Sequence, residues 1–184
     1  SNLIIDSSSS LYSQDHANSD GDLYIFGDYH ISTTTEYWSY ANDFDGTALG
    51  GSSRDVTVTF ANNATATIDG GTLNIVGISG STSTVRTVGG GQYAFIVDAG
   101  TLNADYFAFR NLNTDGLQLL GTSTISSLDN ADFEQALNGA TLITLASSTL
   151  DANASLNILN SRFADGGFTG GVNVSLDALS LIHI

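Results

Sequence analysis

Thr101-Leu102-Asn103-Ala104-Asp105-Tyr106 and, further on, Ser127-Leu128-Asp129-Asn130-Ala131-Asp132-Phe133 decide how this chain folds. Each run places a leucine after a small hydroxylated residue, then Asn-Ala-Asp and an aromatic. The same opening recurs at Thr72-Leu73-Asn74 and Ser155-Leu156-Asn157, so Leu73, Leu102, Leu128 and Leu156 stand 29, 26 and 28 residues apart. Asn160-Ser161-Arg162-Phe163 supplies a third asparagine followed by an aromatic. Self-similarity at this period is the mark of a solenoid, in which one unit cannot bury its apolar face without the next.

Working outward, a second apolar run follows inside each unit: Ala94–Val97, Leu117–Leu120, Leu142–Leu145 and Val172–Leu176. Turn residues separate the runs, as in Gly89-Gly90-Gly91, Asp115-Gly116, Asn138-Gly139 and Asp165-Gly166-Gly167. Upstream, Val56–Phe60 and Ala64–Ile68 alternate apolar residues with threonine at period two, and Leu23–Phe26 is another short strand. No window carries a helical stripe. Short strands at regular spacing also suit an antiparallel β-sandwich, which is the alternative. The degenerate repeat favours a coiled solenoid of about six coils, with like residues stacked at the inter-strand spacing of about 4.8 Å. Stacking predicts a ladder of Asn103, Asn130 and Asn160, with Tyr106, Phe133 and Phe163 stacked inside. Aligning on leucine instead of asparagine shifts the register by a residue or two, and both alignments stay open.

The Asn160-Ser161-Arg162-Phe163 run resembles the rung pattern of right-handed parallel β-helix proteins, a group that includes pectate-lyase-like enzymes and many bacterial surface and autotransported proteins. The resemblance covers about residues 56–176 and implies an all-β, right-handed parallel β-helix. The expected organisation is a capping or irregular first-coil segment over 1–55 and β-helix repeats over 56–178, since solenoid ends need covering. Residues 179–184, Leu-Ser-Leu-Ile-His-Ile, back-translate to CTG TCT CTT ATA CAC ATC, the transposase mosaic end of sequencing libraries. They are expected to be adapter read-through and stand outside the fold reasoning. With no methionine before Ser1, the expectation is a segment of a longer gene.

Composition narrows the setting. Hydrophobic residues make up 41% of the 184, enough for a core, while charged residues are only 12%. Ser (23), Thr (20), Gly (20) and Asn (15) fill the polar positions, which is sheet and turn chemistry. Nineteen carboxylates face four arginines, for a net charge of −15, and such a surface repels nucleic-acid phosphates. The lack of cysteine excludes disulfides and thiolate metal sites. No stretch approaches the roughly 20 apolar residues of a membrane-spanning helix. An acidic, lysine-free surface suits an extracellular or cell-surface location.

Site candidates follow from these patterns. The family resemblance implies either a lyase, with an aspartate cluster holding Ca²⁺ beside an Arg or Lys base, or a hydrolase using aspartates of neighbouring coils as acid and base. Asp105 and Asp132 are the catalytic candidates, expected to stack one rung apart with Arg162 on the next. The bland reading of this pair is a surface ladder diluted by solvent. Calcium is the one candidate cofactor, with oxygen ligands from Asp20 and Asp22, in a segment that also holds Asp15 and Asn18, and from Asp43 and Asp45. Neither segment completes the EF-hand pattern, and solvated acidic loops are the favoured reading of both. Tyr37, Trp38 and Tyr40 belong to an aromatic-rich stretch. Exposed, they would stack on sugar rings; buried, they plug the first coil. His16 and His30 are expected at the surface, and His183 belongs to the adapter run. No nucleophile elbow, phosphate-binding loop or dinucleotide fingerprint occurs.

The function expected is therefore a structural or adhesive segment of a larger exported bacterial cell-surface or secreted protein, with catalysis the less favoured reading. Its partners would be extracellular glycans or cell-surface components, not nucleic acid. The alternative is a polysaccharide-active β-helix enzyme, a lyase or glycoside hydrolase.

Overall fold

Alternation of apolar and β-branched residues, broken every few positions by glycine or asparagine, gives short strands joined by tight corners. In the computed structural model, which describes residues 3–4, 21–39, 56–134, 137–164 and 170–177, these strands wind into a right-handed parallel β-helix. After β1 (Leu3–Ile4), the first described coil comprises β2 (Gly21–Ile25), β3 (Tyr29–Ile31) and β4 (Thr35–Ser39). The second holds β5 (Val56–Phe60), β6 (Thr65–Ile68) and β7 (Thr72–Val76), and the third β8 (Ser83–Thr87), β9 (Tyr93–Val97) and β10 (Thr101–Asp105). β11 (Phe107–Arg110), β12 (Leu112–Leu119) and β13 (Thr124–Asp129) make the fourth. In the fifth, β14 (Asp132–Glu134) and β15 (Thr141–Ala146) are followed by a short helix, α1 (Ser147–Ala152), and β16 (Arg162–Ala164) and β17 (Val172–Asp177) begin a sixth.

Three parallel sheets result. The first stacks β2, β5, β8, β11, β14 and β16; the second runs from β1 through β3, β6, β9, β12 and β15 to β17; the third stacks β4, β7, β10 and β13. Every pairing between these strands is parallel, so the antiparallel sandwich is excluded. Within the 1–55 segment assigned to a cap or first coil, residues 21–39 pair in unbroken register with the coil above.

Side chains alternate inward and outward, as the burial of β7 and β10 shows, and the inward ones form one continuous core. Leu73 and Leu102 stack directly, and Ile68, Val97, Leu119, Leu145 and Leu176 form a column along the second sheet. Aromatics thread the interior: Phe60 and Tyr93 stack at 5.2 Å, Phe95 meets Phe109 at 4.9 Å, and Phe133 stacks on Phe163 at 5.4 Å. Tyr93, wholly buried, donates its hydroxyl to the Val85 carbonyl at 3.1 Å. Burial pushes that phenol's pKa well above its ordinary value.

Two registers differ from the expected ones. Leu102 pairs with Ile125, because a bulge in β13 slips the register and sets Leu128 beside Ala104; both leucines still point into the same core. Asn103 therefore stacks on Asn74, not on Asn130, donating its side-chain amide to the Asn74 Oδ1 at 3.1 Å. Asn130 and Asn160 occupy the corner between the third and first sheets, with φ of 51° and 53°. The short polar side chain of asparagine tolerates this left-handed backbone, which most residues avoid. Tyr106 takes the same corner in the coil below, at φ 47°. It consequently leaves the aromatic column, which is Phe109, Phe133 and Phe163. Gly116, at φ 69°, interrupts β12 where an added Cβ would strike the carbonyls of Thr141 and Leu142 in the coil above.

The third sheet stops at β13. Helix α1 takes the place of its next strand, held by buried Thr149, whose hydroxyl donates to the Leu119 carbonyl at 2.9 Å. Asn153 continues the contact: its Oδ1 accepts from the Ile125 N–H and its Nδ2 donates to the Ser123 carbonyl. An open polar groove of about 440 Å³ lies beyond, between β13 and residues 152–157.

Candidate functional site

Three arginines of the repeats, Arg86, Arg110 and Arg162, stand in the first sheet, together with Asp132 and Glu134. Parallel pairing sets Asp132 between Ala108 and Arg162, and Glu134 beside Arg110. Arg110 reaches across one rung: its Nη2 donates to the Asp132 Oδ2 at 2.7 Å, and its Nη1 donates to the Glu134 carboxylate. From the other side, Arg162 Nη2 donates to the same Asp132 oxygen at 2.8 Å. One carboxylate is thus clamped between two guanidiniums, one from the coil on either side of it. Partial burial pushes the Asp132 pKa upward, but the hydrogen bonds and charges of Arg162 and Arg110 outweigh it and hold the group below the usual carboxylate range. A carboxyl so held is ionised at neutral pH and carries no proton to give as a general acid.

Asp105 lies elsewhere. It closes β10 in the third sheet, paired with Asp129 above and Val76 below, and accepts a 2.7 Å hydrogen bond from the Asn130 side-chain amide. The expected stacking of Asp105 on Asp132 is therefore not found, because the corner at Tyr106 and Asn130 separates the two sheets. The Asp132–Arg162 pairing is found.

The aromatic stretch divides. Trp38 is fully buried, packed between Tyr29 and Phe60 at centroid distances of 5.8 and 6.2 Å, and offers no face to a sugar. Tyr37 points outward and is half-buried, while Tyr40 lies outside the described residues. Of the calcium candidates, Asp22 belongs to β2 and pairs with Thr57; Asp20, Asp43 and Asp45 lie outside the described residues, as do His16 and His183. Among the described residues, no three His, Cys, Asp or Glu side chains converge as a metal site would need. His30 is exposed, with its Nε2 2.7 Å from the Asp69 Oδ2.

One buried acid escaped the sequence reading. Glu36 points inward from β4, directly beneath Leu73, and is 2% exposed. The Thr34 hydroxyl donates to its Oε1 at 3.1 Å. Burial raises its pKa, and burial together with the nearby negative charge raises that of Tyr29. Trp38 Nε1 is buried without a hydrogen-bond partner among the described residues, while the buried Tyr29 hydroxyl faces the Glu36 carboxylate. The period-two pattern of Thr35-Glu36-Tyr37-Trp38 was the available signal, since it puts Glu36 on the same side as Trp38.

Comparison with protein families, with curated proteins and with solved structures yields no match. The fold and the site rest on this chain's own residues.

Proposed function

We propose that this chain is a rigid, acidic rod: a structural or adhesive segment of an exported bacterial cell-surface or secreted protein. The observation that carries the reading is the single core running unbroken through successive coils, from Ile25 and Trp38 to Leu145 and Phe163. A solenoid with such a core is stiff, grows by adding coils, and needs no pocket to do its work. Its outer positions are mostly serine, threonine and asparagine, and its paired charges neutralise one another on the surface. Acidic, cysteine-free composition and the absence of lysine fit contact with extracellular glycans or cell-surface components.

The test pairs a mechanical with a chemical measurement. Pulled from its ends on a force probe, the chain is expected to lengthen in steps corresponding to single coils or small groups of them. Incubated with acidic and neutral polysaccharides, it is expected to release no new chain ends. Turnover that disappears in the folded Asp105→Asn, Asp132→Asn double variant would replace the rod with a glycan-cleaving enzyme.

A further inference from the structure

The third sheet lacks a strand in the fifth coil, and the chain carries the sequence for it. The rungs of this sheet repeat one backbone bond: Thr72 N–H donates to the Thr34 carbonyl, Thr101 N–H to the Gly71 carbonyl and Thr124 N–H to the Gly100 carbonyl, at 2.8, 2.8 and 2.9 Å. The next member of the series would face Thr124, donating its N–H to the Ser123 carbonyl and accepting from the Ile125 N–H. A side chain takes both of those groups instead. Asn153 Nδ2 donates to the Ser123 carbonyl at 2.7 Å, and Asn153 Oδ1 accepts from the Ile125 N–H at 2.8 Å. An asparagine amide offers the donor and acceptor of a peptide group, so Asn153 stands in for one residue of the missing strand.

The far end of that strand is already in register. Asn130 N–H donates to the Leu159 carbonyl and Leu159 N–H donates to the Asp129 Oδ1, both at 2.8 Å, which sets Leu159 over Asp129. Counting back, Ile158 falls over Leu128 and Asn157 over Ser127; past the bulged Ser126, Leu156 falls over Ile125 and Ser155 over Thr124. Ser155-Leu156-Asn157 thereby extends the columns that hold Thr72-Leu73-Asn74 and Thr101-Leu102-Asn103. Leu156 and Ile158 are half-buried against the core while Ser155, Asn157 and Leu159 are exposed, the alternation of a strand with one face on the core. Residues 155–159 nonetheless form no strand, and the groove of about 440 Å³ lies between them and β13. Chain length permits their approach. Residues 120–123 suffice to carry β12 into β13, whereas 147–154 lead from β15 to Ser155.

We propose that residues 155–159 are a strap poised to close on the β13 edge as a fifth strand of the third sheet, and that the Asn153 side chain is the latch that holds it off. In closing, the Ser155 peptide takes over the Ser123 carbonyl and the Ile125 N–H, the Asn153 amide turns to solvent, and the groove is filled. An edge open to another extended chain in the latched form is then covered. The rod reading does not depend on the strap, since the first and second sheets pair identically in both forms.

The chain has no cysteine, so an introduced disulfide can report closure. In the full chain carrying Ser127→Cys and Asn157→Cys, closure sets the two Cα atoms one inter-strand spacing apart, about 4.8 Å, within disulfide reach. Mild oxidation is expected to form the cross-link, and adding Asn153→Ala to speed it about tenfold, because two side-chain hydrogen bonds no longer hold the strap off. Hydrogen exchange on the cysteine-free chain separates a latch from a structural asparagine. Asn153→Ala should raise the protection of residues 155–159, whereas a structural role would lower it there and in α1 and β13 together. Asn153→Asp keeps the acceptor for the Ile125 N–H but cannot donate to the Ser123 carbonyl; it is expected to act in the same direction and serves where the alanine variant does not fold. No cross-link in either background, equal rates in the two, lowered protection across 155–159, or loss of the fold in both variants would each overturn the proposal.

Discussion

Phe133→Ala is the perturbation that reads the core most sharply. Phe133 is wholly buried at the middle of the aromatic column, stacked on Phe163 at 5.4 Å and on Phe109 at 6.0 Å, with Phe107 edge-on at 5.8 Å. Truncation withdraws about 2 kcal/mol of transfer free energy. A residual void of about 80 Å³, at about 24 cal/mol per Å³, adds about 2 kcal/mol more. The total, about 4 kcal/mol, falls in the range measured for such substitutions. Phe133→Leu keeps most of the volume but loses the ring contacts, and is expected to cost about 1–1.5 kcal/mol. Urea unfolding supplies the free energies, and an unchanged denaturant slope shows that the surface exposed on unfolding is the same. Hydrogen exchange supplies the location: because each coil touches only its neighbours, protection should fall most in β11, β14 and β16 and least in β5. A loss below about 1 kcal/mol for the alanine variant would refute the buried column, and so would uniform loss of protection.

Glu36 makes stability pH-dependent in a direction opposite to that of a paired carboxylate. Its folded pKa is raised, so the folded state binds the proton more tightly, and stability is expected to fall as pH rises from its ordinary value of 4.5 toward the raised one. Thermal melts of Glu36→Gln across that window should lack this decline; parallel curves for the two proteins would show that the acid is solvated. Asp132, held low, contributes with the reverse sign: its stabilisation is present above its ordinary value of 3.8 and is lost as pH falls below it. Asp132→Asn should flatten that acid limb, and only modestly, because the group is partly exposed and screened. At the corner, Asn130→Ala is expected to cost about 2–3 kcal/mol in urea unfolding, from left-handed backbone strain together with the lost hydrogen bond to Asp105. Asn130→Gly should recover the strain component alone, about half of the loss; equal losses in the two variants would remove the backbone argument.

Much of the architecture was legible in the chain. The runs at Phe95, Leu117, Ile143 and Val174 stack as one column of the second sheet, because an unbroken alternation leaves the register a single way to bury every apolar residue. Legibility failed where the coil length changed. The bulge in β13 shifts one residue past its partner, so the Leu102 and Leu128 repeat, evident in the sequence, is not a stacked pair. The asparagine repeat misled for a related reason: Asn103 is a strand residue and Asn130 a corner residue, and one residue type serves both a side-chain ladder and a left-handed turn. Asp105 and Asp132 fell on different sheets through that same corner. Arg162 was legible beside Asp132, but its shared face with Arg86 and Arg110 was not. Their spacing brings them to one face only once the true coil lengths are known.

The central claim is that successive coils add a fixed rise along one axis, and spin-label distances test it directly. The chain has no native cysteine, so pairs introduced on the outer side of the second sheet are unambiguous. His30, Thr67, Gln118, Thr144 and Ser175 share one column there, with Ile96 on the rung between Thr67 and Gln118. Labels at Thr67 and Thr144, three rungs apart, should lie about 14 Å from each other, at Thr67 and Ser175 about 19 Å, and at His30 and Ser175 about 24 Å, before allowance for linker length. Distances that fail to grow in step with rung number would contradict the parallel β-helix and everything built on it.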